Sequence, residues 1–126
     1  MKKTGLINKE TTALLVIDVQ EKLMPVVQDA EQIFANVNRL IKGVTTINVP
    51  IVITEQYPKG LGNTCAEVEI PEGIQPIEKI CFSCIQSANV LEELKARNIT
   101  SLIVCGVESH ICVLKTTLEA LEKNIE

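Results

Sequence analysis

The chain has 126 residues, of which 46% are hydrophobic and 22% are charged, and its formal net charge is -4. This length fits one domain over residues 1–126, and the apolar fraction allows the chain to bury a core, so it need not be disordered. The negative charge and an aromatic content of only 2% argue against a nucleic-acid-binding groove, which needs basic side chains and stacking rings.

The first half of the chain predicts a strand, a helix, a second strand and a long loop. Residues 13–17 form an unbroken apolar run, which is typical of a strand buried on both faces of a parallel sheet. Apolar residues at helical spacing follow over residues 33–47, and Asp29 with Gln32 resembles a capping pair. A strand over residues 51–54 precedes a polar loop over residues 55–75, and loops of this length usually carry function.

The second half continues the alternation. The pattern predicts a third strand over residues 77–82, a helix over residues 90–98 and a fourth strand over residues 101–105. Ser109 is a candidate cap for a third helix, whose predicted apolar stripe consists of Ile111, Leu114, Leu118 and Leu121. The order β-α-β-loop-β-α-β-α predicts an α/β protein of the Rossmann-like class, with three α/β/α layers and a parallel sheet.

The cysteine content indicates a reducing compartment. Five cysteines, an odd number, occur without a preceding secretory signal, so reduced thiols are expected rather than a disulfide framework. The apolar run over residues 13–17 is too short to span a bilayer or to form a signal core. We therefore expect a soluble cytoplasmic protein without a membrane partner.

Two polar residues fall where chemistry is expected, because ligands of open α/β sheets bind beyond the carboxyl ends of the strands. Asp18 closes the first predicted strand, and Cys112 follows the fourth, just inside the start of the third helix. The first turn of a helix would lower the pKa of a thiol, and its N–H groups could hold an oxyanion. From position alone, Cys112 could equally well pack under the helix, and Asp18 could cap a turn.

A cation is also available for such a site. Lys79 interrupts the third predicted strand between Ile77 and Ile80. Taken alone, Lys79 would be an outward-facing residue of an alternating strand. Together with Asp18 and Cys112, however, it supplies the cation that accompanies an acid/base and a nucleophile in acyl transfer.

Other combinations of cysteine and histidine are less favourable. His110 is two residues from Cys112, and such neighbours on a helix do not face each other, so a Cys–His dyad is disfavoured. A single histidine does not make a metal site, and we expect no metal and no cofactor. Cys81 and Cys84 have the spacing of thiol redox motifs, but those motifs open a helix, whereas Cys81 is predicted within a strand.

Several segments resemble the signatures of isochorismatase-like cysteine hydrolases. Residues 15–20, Leu-Val-Ile-Asp-Val-Gln, resemble the opening signature of that family. Residues 106–113, Gly-Val-Glu-Ser-His-Ile-Cys-Val, resemble its nucleophile segment. Residues 54–62 and 78–83 resemble a subgroup without a settled substrate. The resemblance extends from about Thr12 to Leu121, which is nearly the whole chain.

The resemblance implies a role for each candidate. Asp18 would act as general base and then acid, Cys112 as nucleophile, and Lys79 as the group that orients both or stabilises charge. A non-proline cis peptide is implied between Val107 and Glu108, and it would aim the Glu108 N–H, with that of Cys112, at the oxyanion. The implied reaction is the hydrolysis of a small amide or related acyl or C–N compound through a covalent thioester.

The resemblance also bears on the substrate. Members that hydrolyse the isochorismate vinyl ether generally lack this cysteine, and nicotinamidases carry an Asp-x-His metal site after the second strand. This sequence has Glu55-Gln56-Tyr57 there, so both activities are disfavoured. Gln20 and Tyr57 are candidate pocket-lining residues for a small-molecule substrate.

The family fold usually continues for another strand–helix–strand portion, which suggests that the C-terminal part is missing here. The fourth strand would then be an apolar edge, and exposed edges invite pairing with another chain. We therefore expect a homo-oligomer that covers this edge, or a poorly active product. Two alternatives are a weak or inactive family member acting in binding or assembly, and a thiol redox protein using Cys81 and Cys84.

Overall fold

The computed structural model describes residues 5–126. Four parallel strands form one sheet in the order β3-β2-β1-β4, and they are β1 (Thr12–Ile17), β2 (Ile51–Gln56), β3 (Ile77–Lys79) and β4 (Ser101–Gly106). The α-helices are α1 (Ala30–Thr46), α2 (Pro58–Leu61), α3 (Ala88–Ala96) and α4 (Leu114–Glu122). The α/β fold with a parallel sheet that the sequence predicts is therefore confirmed.

Strand β1 lies in the interior of the sheet and is buried on both faces. Its alternating side chains enter two separate cores, because successive residues of a strand point to opposite faces. Leu14 and Val16 pack with buried residues of α1 on one face. Leu15 and Ile17 pack with buried residues of α3 and α4 on the other. This arrangement gives the three layers and leaves the strand ends free to carry polar groups.

Strand β3 is shorter than the sequence predicts, ending at Lys79 instead of residue 82. The reason lies in the lysine side chain. The carbonyl oxygens of Cys81 and Phe82 both accept hydrogen bonds from Lys79 Nζ, each at 3.0 Å. The chain therefore bends around the ammonium group beyond Lys79, and Cys81 lies outside the strand.

The predicted loop over residues 55–75 is ordered at its start by the short helix α2. Backbone hydrogen bonds tie the loop to the segment that follows Asp18. The N–H groups of Glu21 and Lys22 donate to the carbonyls of Asn63 and Leu61, each at 3.0 Å. The loop is thereby fixed beside the carboxyl ends of the strands.

Two predictions about helix starts are wrong. Asp29 is the cap residue of α1, but it has a left-handed backbone with φ of 55° and its side chain makes no capping hydrogen bond. Ser109 does not cap the last helix, because a π-helical turn over Ser109–Val113 precedes α4 and begins after Glu108.

The apolar stripe predicted for the last helix faces away from the sheet. Leu114, Leu118 and Leu121 of this stripe are about half exposed, whereas Thr116 and Ala120 are buried. Cys112, Thr116 and Ala120 recur every four residues and form the inward face. The residues of this inward face are small or polar and less hydrophobic than the leucines. The sequence pattern therefore predicts that the leucine face is buried, which is the opposite of what the structure shows.

Strand β4 is at an edge of the sheet, as the sequence predicts. The last residue of the chain lies along part of this edge, where the Leu102 N–H donates to the Glu126 carbonyl at 2.5 Å and the Glu126 N–H donates to the Thr100 carbonyl at 2.9 Å. The oligomer expected to cover the edge stays a prediction.

Gly106, the last residue of β4, is required by its close approach to β1. Its φ is 121°, and a Cβ at this position would overlap the backbone oxygen of Ile17. We expect Gly106→Ala to lower the free energy of unfolding by about 3 kcal/mol or more, measured by urea denaturation. Gly43→Ala, in α1 with nothing within 4 Å of the added Cβ, is the control and should stabilise by about 0.5–1 kcal/mol. Equal midpoints for the two variants would contradict this account.

Candidate active site

Three predicted residues meet at the carboxyl edge of the sheet. Asp18 follows β1 directly, Lys79 ends β3, and Cys112 lies in the π-helical turn between β4 and α4. Their exposed fractions are 0%, 4% and 6%. Parallel strands end at one edge, so residues far apart in sequence come together in a buried cluster.

Lys79 points into this cluster, not outward. Its Nζ donates to Asp18 Oδ2 at 2.8 Å and to Gln56 Oε1 at 2.8 Å, and it lies 3.9 Å from Cys112 Sγ. The two backbone carbonyls after β3 complete its surroundings. A buried ion pair is tolerated only when its remaining hydrogen-bonding groups are satisfied, and this one is surrounded by acceptors.

The Asp18 carboxylate is held by two donors on its two oxygens. Thr54 Oγ1 donates to Oδ1 at 2.9 Å, and Lys79 Nζ donates to Oδ2 at 2.8 Å. The backbone of Asp18 has a left-handed conformation with φ of 53°, and its N–H donates to the Thr54 carbonyl at 3.2 Å. Backbone and side chain together aim the carboxylate at Lys79 and Cys112.

The pKa of the Cys112 thiol is raised above its ordinary value. Burial is the main cause that raises its pKa, to about 12, and a hydrogen bond to Asp18 and the negative charge of that residue add to it. The positive charge of Lys79 acts in the opposite direction. This direction is opposite to the lowered pKa predicted from the helix start, because burial and Asp18 both raise it. The proton of the thiol faces the carboxylate that could receive it.

The raised pKa predicts how Cys112 reacts with iodoacetamide. Because the thiolate is the reactive form, the alkylation rate of Cys112 in the free protein should keep rising above pH 9 without reaching a plateau by pH 10. Peptide mass spectrometry would measure this rate. Asp18→Asn removes two of the causes that raise the pKa and should speed the reaction at pH 8. A plateau below pH 9 in the wild-type protein would contradict the raised pKa.

The segment before Cys112 contains a cis peptide bond between Val107 and Glu108. The carboxylate of Glu108 lies 3.6 Å from Nε2 of His110, whose side chain is 70% exposed. Within the described part of the chain, no hydrogen bond joins His110 to Cys112. The histidine therefore lies at the surface and outside the buried cluster.

The two candidate pocket residues have different surroundings. Gln20 is fully buried, and its amide nitrogen donates to the carbonyls of Gln56 and Gly62 at 2.9 and 2.8 Å. Its Oε1 accepts from the Gln56 N–H at 2.7 Å, so Gln20 ties the end of β2 to the loop. Tyr57 is half exposed and lines a cavity, and Gln20 is not among the residues that line it.

This cavity has a volume of about 570 Å³ and lies beside the end of β3. Its walls come from the residues that follow β2, from the segment around Lys79 and from the start of α3. Tyr57, Lys59, Glu78 and Ile80 are among the residues that line it. A cavity of this size can accommodate a small molecule.

Two residues of the cluster, Thr54 and Gln56, were missed as candidates in the sequence. Both lie on β2, and Thr54 contacts Asp18 while Gln56 contacts Lys79. The sequence feature that could have identified them is the same as for Asp18, namely a polar residue at the carboxyl end of a buried strand. Thr54 lies in the predicted strand, whereas Gln56 falls in the predicted loop, because the sequence pattern ends this strand two residues early.

Residues 5–126 contain no group of three His, Cys, Asp or Glu side chains that could hold a metal ion. All five cysteines are free, and Cys84 is buried while Cys81 is partly exposed. No helix in this range is long and apolar enough to cross a membrane.

Comparison with known proteins points to one family. Residues 12–126 match the isochorismatase domain. Isochorismatase domain-containing protein 2A of Mus musculus is 37% identical over 97% of this chain and 58% of its own length. Isochorismatase domain-containing protein 2 of Bos taurus is 39% identical over 92% of this chain and 55% of its own length. The chain thus spans a little more than half the length of these curated relatives.

Solved structures agree with this result. The MAR1 ribonuclease of Caenorhabditis elegans superposes with a TM-score of 0.87 at 34% identity, over 95% of this chain and 62% of that chain. An isochorismatase of Pseudomonas putida superposes with a TM-score of 0.86 at 23% identity, over 98% of this chain and 70% of that chain, and shows the shared fold. With the match over residues 12–126, these findings place the chain in the isochorismatase domain family.

Proposed function

We propose that the chain is a metal-independent cysteine hydrolase that acts on a small amide or a related acyl or C–N compound. The observation that carries this proposal is the buried cluster in which Lys79 contacts both Asp18 and Cys112, at 2.8 and 3.9 Å. The proposed nucleophile Cys112, the proposed base Asp18 and the cation Lys79 contact one another, which is the arrangement that covalent catalysis requires. The family membership supports hydrolysis as the reaction class.

In the first half of the reaction, Asp18 accepts the proton of Cys112 while the sulfur attacks the carbonyl carbon of the substrate. The C–S bond forms as the carbonyl π bond becomes an oxyanion, for which the N–H groups of Glu108 and Cys112 are the proposed donors. Collapse of the tetrahedral intermediate breaks the C–N bond. Asp18 returns its proton to the leaving nitrogen, and a thioester remains on Cys112.

In the second half, water replaces the amine. Asp18 takes a proton from the water, whose oxygen attacks the thioester carbon. The C–S bond then breaks, the acid product leaves, and the proton on Asp18 restores the thiol of Cys112. The same carboxylate thus serves as base and as acid in each half.

The position of Lys79 suits this transfer of charge. When the proton moves from Cys112 to Asp18, the negative charge moves from the carboxylate to the sulfur. Because Lys79 Nζ contacts both groups, it keeps an anionic partner in either state. Lys79 therefore lowers the cost of forming a thiolate in a buried site.

The substrate is proposed to enter through the cavity beside β3, with Tyr57 in its wall. The test is a panel of small carboxamides and acyl compounds, with acid-quenched protein analysed by peptide mass spectrometry. We expect an acyl adduct on the peptide that carries Cys112. A single-stranded RNA belongs in the panel because the Caenorhabditis elegans neighbour is named a ribonuclease. Binding of a panel compound without turnover or adduct would instead support a binding or assembly role.

A further inference from the structure

We infer that Thr54 is a positioning residue for the reaction, whose hydroxyl fixes the Asp18 carboxylate in the orientation that receives the proton of Cys112. This inference rests on the proposed function. Thr54 makes no hydrogen bond to the Cys112 sulfur and does not line the cavity, so its proposed effect on the reaction is exerted through Asp18.

Thr54 is placed for this role by the register of the sheet. It lies opposite Ile17, the residue before Asp18, in the pairing of β1 with β2. Its side chain is fully buried, and Oγ1 donates to Asp18 Oδ1 at 2.9 Å. Its carbonyl also accepts the Asp18 N–H at 3.2 Å. One residue of the neighbouring strand thus holds both the backbone and the side chain of the proposed base.

The direction of the Thr54 hydrogen bond follows from counting protons. A threonine hydroxyl has one hydrogen, and an ionised carboxylate has none to donate, so the hydrogen of Thr54 lies on Asp18. Cys84 Sγ is 3.6 Å from Thr54 Oγ1, and with the Thr54 hydrogen on Asp18 the hydroxyl oxygen is free to accept from the thiol. Burial is the main cause that raises the pKa of the Cys84 thiol. Buried polar contacts thus join Cys84 to Thr54 and Thr54 to Asp18.

Thr54 and Lys79 donate to different oxygens of the Asp18 carboxylate. Lys79 supplies charge at Oδ2, and Thr54 supplies a neutral donor at Oδ1. With a donor on each oxygen, the carboxylate cannot rotate without breaking a buried hydrogen bond. Loss of the Thr54 hydroxyl would free the rotation and would also remove a bond that favours the charged form of the carboxylate.

The test compares Thr54→Val, which keeps the shape without the hydroxyl, with Thr54→Ser, which keeps the hydroxyl. Thr12→Val is the matched control, because Thr12 is equally buried in β1 but its hydroxyl bonds to the Asn8 carbonyl. We expect Thr54→Val to lower kcat about tenfold with KM unchanged. The acidic limb of its kcat/KM profile should move up by about one pH unit, the size expected for a lost hydrogen bond to a charged group.

Thr54→Ser should restore kcat to within about twofold of the wild-type value, and Thr12→Val should leave the pH profile unchanged. A second readout needs no substrate. In protein labelled with ¹³C at aspartate, the Asp18 Cγ resonance, assigned with Asp18→Asn, should titrate at higher pH in Thr54→Val. An equal loss of kcat in Thr54→Ser, or the same titration in Thr54→Val and wild type, would overturn the inference. If Cys112→Ser stays fully active while the Asp18 titration shifts, the proposed function fails and the positioning of Asp18 by Thr54 stands.

Discussion

Replacing Cys112 with serine is expected to lower kcat/KM for an amide substrate by at least about 10³-fold, without a comparable loss of stability. Serine has nearly the shape of cysteine, so the π-helical turn before α4 can be kept. A hydroxyl, however, holds its proton far more tightly than a thiol, and a carboxylate such as Asp18 is a weak base for it. Steady-state kinetics on the substrate found in the panel would measure the effect.

A matched control for this substitution is Cys105→Ala. Cys105 lies in β4 outside the cluster, is partly buried, and has a pKa that burial raises to about 11. We expect this variant to retain activity. Cys81→Ser should retain activity as well, since the mechanism does not use that thiol. Wild-type turnover in Cys112→Ser would reject the covalent mechanism, and a reversible two-electron titration that is lost in Cys84→Ser would favour the redox alternative.

The sequence predicted the parallel sheet because its strands are short apolar runs that alternate with helical stripes. Asp18 could be predicted as a site residue because it is a carboxylate that directly follows the apolar run over residues 13–17. The inward direction of Lys79 was harder to predict, because a three-residue strand offers too little alternation to fix which face a side chain takes. The inward direction depends on the bend that brings the carbonyls of residues 81 and 82 to the ammonium group.

The direction in which the pKa of Cys112 is shifted could not be predicted from the sequence. A cysteine near the start of a helix predicts an acidic thiol. Burial depth and the distance to Asp18 are tertiary properties, and in this protein they reverse the expected direction. For the proposed mechanism, this direction favours activation of the thiol by proton transfer to Asp18 during attack over a thiolate that is already formed in the free protein.

Replacing Lys79 with methionine is expected to destabilise the protein by about 3–5 kcal/mol, because it leaves the Asp18 carboxylate buried without its cation. The ammonium also satisfies Gln56 Oε1 and two backbone carbonyls, which would lose a donor. Urea denaturation would measure the loss. Arg97→Met, which removes an exposed ion pair with Glu93, is the control and should cost less than about 1 kcal/mol.

The double variant Asp18→Asn with Lys79→Met separates the charge from the packing. Since it removes both members of the buried pair, no unpaired charge remains, and it should be more stable than Lys79→Met alone despite carrying one more substitution. Asp18→Asn, Lys79→Met and the double variant should all lack hydrolytic activity. The differences in stability among them therefore have to be measured by denaturation and not by activity. If the double variant were less stable than Lys79→Met by the full cost of Asp18→Asn, the two residues would not be coupled. The ion pair could not then be what holds the proposed base in place.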